Sequence, residues 1–108
     1  MITIVDYKLN NLRSIENTLR RLGHEVVVTS KPEEVRAATK LILPGVGAFR
    51  DAMHNLSTLG LIEPFLEKVK SGVPTLGICL GMHLLFRESE EFGLHRGLDL
   101  LGGRICRI

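Results

Sequence analysis

Cys79 stands between two glycines in the run Gly77-Ile78-Cys79-Leu80-Gly81. The apolar stretch Val73 to Ile78 precedes it and reads as a strand, while Leu80 to Phe86 begins a helix. A nucleophile between small residues at a strand-to-helix turn is the elbow arrangement, here with Cys in the place of Ser. The sharp turn projects the sulfur outwards, and the glycines remove side chains that would strike adjacent strands. A helix starting at Leu80 would offer N–H groups and a positive dipole end to the sulfur, favouring the reactive thiolate. The Leu80 N–H could also bind a developing oxyanion. An isolated cysteine is most often a small buried apolar residue. The glycine bracket and the strand-to-helix position favour the nucleophile for Cys79, whereas Cys106 has no such setting and reads as structural.

Pro44-Gly45-Val46-Gly47 is a second candidate. By itself it would pass as a plain turn. Beside a nucleophilic Cys, its glycines let backbone approach a ligand, and its flexible peptide units could turn an N–H towards an oxyanion. Two cysteines are too few for a disulfide framework, and neither has metal-ligand spacing; no metal or cofactor is expected.

The elements that must position these residues alternate along the chain. Ile2 to Val5, Val26 to Thr29, Leu41 to Leu43 and Val73 to Ile78 read as strands. Leu12, Ile15, Leu19 and Leu22 form a helical stripe capped by Gly23, and Lys31 to Ala38 is a short helix with Pro32 in its first turn. Phe49 to Leu56 and Leu61 to Val69 are two more helices. Arg87 to Gly103 reads as loop-rich, and Arg104 to Ile108 as a strand that has only begun. Such alternation predicts an α/β fold, a flavodoxin-like parallel sheet with helices on both faces and strand order 2-1-3-4. Ligands then bind beyond the carboxyl ends of the strands, where Asp6 to Asn11, Pro44 to Gly47 and the Cys79 turn fall together.

The 108 residues suffice for one core, with 44% apolar and 24% charged residues. A net charge of +2 with scattered basic residues offers no footprint for nucleic acid. No apolar run is long enough to span a membrane, and the first residues lack the pattern of a signal peptide; a cytoplasmic location is the expectation.

Leu43-Pro44-Gly45-Val46-Gly47-Ala48 followed by Gly77-Ile78-Cys79-Leu80-Gly81-Met82 resembles the class I (triad) glutamine amidotransferases. Within them the chain is most similar to the glutaminase subunits of imidazole glycerol phosphate synthases, which serve histidine biosynthesis. Ile4-Val5-Asp6-Tyr7 with Asn11-Leu12, then Leu84-Leu85-Phe86 and Ser89-Glu90-Glu91, fit as well, so the resemblance runs through all 108 residues. It implies that Cys79 attacks the side-chain amide of glutamine, that ammonia leaves, and that water releases glutamate. It implies that Gly45, Val46 and Leu80 supply oxyanion or substrate contacts, and that Glu91 lines the glutamine site. It also implies a barrel-shaped synthase (cyclase) partner that receives the ammonia and meets the Tyr7 to Asn11 loop.

The chain departs from the family pattern in two respects. The resemblance places Gln where His83 stands; helix rise carries His83 away from the sulfur and argues against a role as base, which leaves it a polar substitute in substrate binding or a partly buried structural residue. The family's His-x-Glu pair has no counterpart, because His24, His54, His83 and His95 all lie outside such a context. Residues 1–108 are therefore expected to be a partial domain, the N-terminal half of the amidotransferase fold, inactive alone. The alternatives are a half completed by another chain, a non-catalytic interaction module, and another flavodoxin-like hydrolase with an elbow cysteine. Self-association is expected through the C-terminal strand, where Leu100, Leu101 and Ile105 would be short of packing partners.

Overall fold

A computed structural model of the chain describes residues 1–8, 12–91 and 93–106. Its main sheet is parallel, in the order β2-β1-β3-β4. The strands are β1 (Ile2–Val5), β2 (Val26–Thr29), β3 (Leu41–Leu43) and β4 (Thr75–Gly77). Consecutive buried residues in β1 and β3 mark strands covered on both faces.

The alternation of side chains along each strand divides the apolar residues between two layers. On one face, Ile4, Val26 and Ile42 pack with Leu12 and with Ile15 and Leu19 of α1 (Arg13–Arg21). On the other, Val5, Leu41 and Leu43 lie in one cluster with residues of four helices. These are Val35 of α2 (Pro32–Arg36), Phe49, Ala52 and Leu56 of α3 (Phe49–Thr58), Phe65 of α4 (Ile62–Lys70), and Leu80 and Leu84 of α5 (Leu80–Leu84). The flavodoxin-like order and the two helical layers are those the alternating sequence predicts.

The last quarter of the described chain departs from expectation. Arg87 to Gly103, expected to be loop-rich, carries strand residues between its turns. Helix α5 stops after five residues, and the chain turns directly into β5 (Phe86–Ser89). With β6 (His95–Arg96) and β7 (Leu101–Ile105) it forms a second sheet in the order β6-β5-β7. Gly102 and Gly103 lie within β7, a composition that disguises a strand. Parallel pairing with β5 holds it, and Arg104 adds hydrogen bonds to the Glu88 carboxylate at 2.9 Å and the Glu90 carboxylate at 2.9 Å. The hydrogen bond from Arg104 is the chief reason the Glu88 carboxyl lies below its usual pKa range.

Arg104 and Ile105 are strand residues as expected, but of the second sheet and not of the main one. Arg104 and Ile105 close β7 in parallel pairing with β5, and residues 107–108 lie outside the described residues. Leu100 is not short of partners either, because it packs against the main cluster. Ile105 is half-buried, whereas Leu101 is exposed. In the main sheet the exposed apolar residue is Leu76, on edge strand β4. Strand β4 is shorter than the expected Val73 to Ile78 because β3, its partner, offers three residues for pairing. Among the described residues no helix is long and apolar enough to cross a membrane.

Candidate functional site

Cys79 lies one residue beyond β4, with Ile78 between them, and immediately precedes α5, with an exposed thiol. Its backbone takes φ 54° and ψ −120°, a conformation a residue with a side chain adopts at a cost. The surroundings enforce that geometry. A Cβ at Gly77 would lie 2.8 Å from the Met82 Cα, and one at Gly81 would collide with the Leu43 carbonyl oxygen. Both flanking glycines are therefore required by close backbone approach.

The turn is pinned to the neighbouring strand end by two bonds. Ile78 N–H donates to the Leu43 carbonyl at 3.0 Å, and Leu80 N–H donates to the Gly45 carbonyl at 3.1 Å. The second bond brings the Cys79 turn and the Pro44–Gly47 loop together, as strand order 2-1-3-4 requires. It also means that the Leu80 N–H, the expected oxyanion donor, is occupied by Gly45. The next N–H groups are engaged as well: Gly81 bonds the Ile78 carbonyl at 2.9 Å and Met82 the Cys79 carbonyl at 2.9 Å. A five-residue helix with its first N–H groups already paired supplies little of the dipole effect expected at the sulfur.

The remaining candidates differ in exposure and in their relation to that centre. Val46 and Gly47 are exposed, while Gly45 is buried. His83 is half-buried on α5, and its backbone N–H donates to the Cys79 carbonyl at 3.3 Å. Among the described residues no side-chain hydrogen bond links His83 to Cys79. Glu91 lies just past β5 in the second sheet, its N–H bonded to the hydroxyl of buried Ser89 at 3.1 Å. His95 lies on β6, not in a loop, and His24 and His54 are exposed. No group of three or more His, Cys, Asp or Glu among the described residues could hold a metal ion.

Tyr7 overturns one expectation and supplies a residue that spacing did not flag. Read as part of an outward-facing Tyr7 to Asn11 loop, it is fully buried instead. Its hydroxyl donates to the Pro44 carbonyl, and its own carbonyl accepts from the Asn55 amide of α3 at 2.9 Å. Burial pushes the phenol pKa well above its usual range, so the hydroxyl stays protonated and a donor. Lys8 is exposed, and residues 9–11 lie outside the described residues.

The family model for class I glutamine amidotransferases matches residues 3–97. The chain is 53% identical over 108 residues to the imidazole glycerol phosphate synthase subunit HisH of Syntrophotalea carbinolica, covering all of this chain and 52% of the relative. It is 54% identical over 108 residues to the subunit of the same name from Geobacillus sp., covering all of this chain and 51% of the relative. The chain thus spans about half the length of the curated relatives it matches. A crystal structure of a glutamine amidotransferase superposes with TM-score 0.82 at 23% identity, over 99% of this chain and 57% of that one. A putative peptidase E from Listeria monocytogenes superposes with TM-score 0.66 at 16% identity, over 81% of this chain and 50% of that one. At such identities the structural likenesses speak for the fold.

Proposed function

This chain belongs to the class I glutamine amidotransferase family, and we propose that it carries the nucleophile of a glutaminase site. The observation that carries the reading is Cys79 itself, an exposed thiol on a strained turn bracketed by Gly77 and Gly81, where close backbone contacts leave no room for a side chain. In the proposed reaction the Cys79 sulfur attacks the side-chain amide carbon of glutamine. The C–N bond breaks, nitrogen leaves as ammonia with the proton it needs, and a glutamyl thioester forms. Water then breaks the thioester, giving glutamate and the free thiol.

Charge develops on the carbonyl oxygen at both steps and needs N–H donors. Rotation of the Gly45–Val46 peptide would break the bond to Leu80, freeing the Leu80 N–H and turning the Val46 N–H inwards. Gly45, Val46 and Leu80 then act as one device, closed in this structure. His83 and Glu91 are proposed substrate contacts; His83 supports this by its place one helical turn from Cys79. The general base, a His oriented by a Glu, is proposed to come from outside residues 1–108, which would then be part of one larger domain.

The names of the relatives support a place as the glutaminase subunit of imidazole glycerol phosphate synthase in histidine biosynthesis. Ammonia would pass to a synthase partner. A cytoplasmic location is supported by two free thiols, Cys79 and Cys106. Self-association through the C-terminal strand is a separate proposal, supported by the outer edge of β7 and exposed Leu101. The central reading is tested by which cysteine a glutamine-mimicking electrophile alkylates.

A further inference from the structure

Two successive peptide units in the Pro44–Gly47 loop are held by different partners. The carbonyl of Pro44, in the Pro44–Gly45 peptide, accepts from the buried Tyr7 hydroxyl. The carbonyl of Gly45, in the Gly45–Val46 peptide, accepts from the Leu80 N–H. Gly45 lies between them, and a Cβ there would collide with the Tyr7 oxygen and lie 3.2 Å from the Leu80 Cβ. Tyr7 is fixed in turn by Asn55, which reaches its main-chain carbonyl from α3. Helix α3 starts at Phe49, two residues past the loop. Through its hydroxyl and its main-chain carbonyl, Tyr7 thus ties together the ends of β1 and β3 and helix α3.

We propose that Tyr7 is a positioning residue for the glutaminase reaction, its hydroxyl anchoring the Pro44–Gly45 peptide so that rotation is confined to the Gly45–Val46 peptide that closes on Leu80. The proposal rests on the reading of Gly45, Val46 and Leu80 given above. A hinge needs one fixed side. Without the hydroxyl, the Pro44 carbonyl loses its partner in a buried setting and the loop can move as a whole. The bond to Leu80 would then open more often and without a defined end point. The hydroxyl also accounts for glycine at position 45, since the space a side chain would need is filled by the Tyr7 oxygen.

Amide hydrogen exchange on the full chain tests this without requiring turnover, so it can fail while Cys79 chemistry stands, and the reverse. Tyr7→Phe removes the hydroxyl and keeps the ring. The Leu80 amide should then exchange about fivefold faster, the scale of one net hydrogen bond, while the Ile78 amide, bonded to Leu43, keeps its rate. Replacing tyrosine throughout with 3-fluorotyrosine alters position 7 alone, because Tyr7 is the only tyrosine. That substitution keeps the hydroxyl and should leave the Leu80 rate near the unmodified value. An unchanged Leu80 rate in Tyr7→Phe overturns the proposal. So does an equal rise at Leu80 and Ile78, which would reveal general loosening. A fluorotyrosine chain that exchanges as fast as Tyr7→Phe would overturn it too, by showing that ring packing, not the hydroxyl, sets the rate.

Discussion

The Leu43 carbonyl oxygen occupies the space that any side chain at Gly81 would need. The same oxygen accepts the Ile78 N–H at 3.0 Å, so it cannot withdraw without loosening the turn that carries Cys79. Gly81→Ala should therefore destabilise the chain by about 1–3 kcal/mol or more, the usual cost of forcing an extra methyl into a packed site. Gly77→Ala, against Met82 backbone, should behave alike. Gly102→Ala is the control, since nothing lies within 4 Å of the place its methyl would take. Denaturant midpoints that rank Gly102→Ala with the other two would refute the close-packing account.

A second expectation concerns turnover. No histidine in residues 1–108 stands in a His-x-Glu context, and the Leu80 N–H is occupied by Gly45. Glutamate release by the chain alone should stay within about a hundredfold of a Cys79→Ala control, given what a general base is worth. A rate of about 1 s⁻¹ or more, ordinary for a competent enzyme, would place the base within this chain and make His83→Ala the next variant.

Association state separates two exposed edges. The proposal of self-association through the C-terminal strand predicts larger species in light scattering as concentration rises, weakened by Leu101→Ser on β7. Leu76→Ser on β4 should then have little effect. A monodisperse species of about 12 kDa at high micromolar concentration would end the proposal.

Much of the fold was legible because buried parallel strands are written as short apolar runs. Ile2–Val5, Val26–Thr29 and Leu41–Leu43 announce themselves by composition, and Pro44-Gly45 marks where β3 ends. Right-handed crossovers then bring Cys79 beside Gly45 with little freedom left. The second sheet was hidden, because Phe86–Ser89 is half charged and Leu101–Ile105 contains two glycines. Its strands are specified by pairing with each other and by Arg104 bridging Glu88 and Glu90, a non-local arrangement with no local period. Tyr7 was missed for a related reason. A lone tyrosine in a polar turn looks exposed, and its burial depends on Pro44 and Asn55, 37 and 48 residues away. The occupation of the Leu80 N–H was also out of reach, since peptide orientation is not written in residue type.

The most direct measurement is competitive labelling of the two cysteines by a glutamine-mimicking electrophile, followed by peptide mapping. Both thiols are exposed, so access alone does not favour either. The elbow at Cys79 predicts an adduct there first, with protection by excess glutamine and none gained at Cys106. Labelling that is equal at the two positions, or faster at Cys106, would contradict the assignment of Cys79 as the nucleophile.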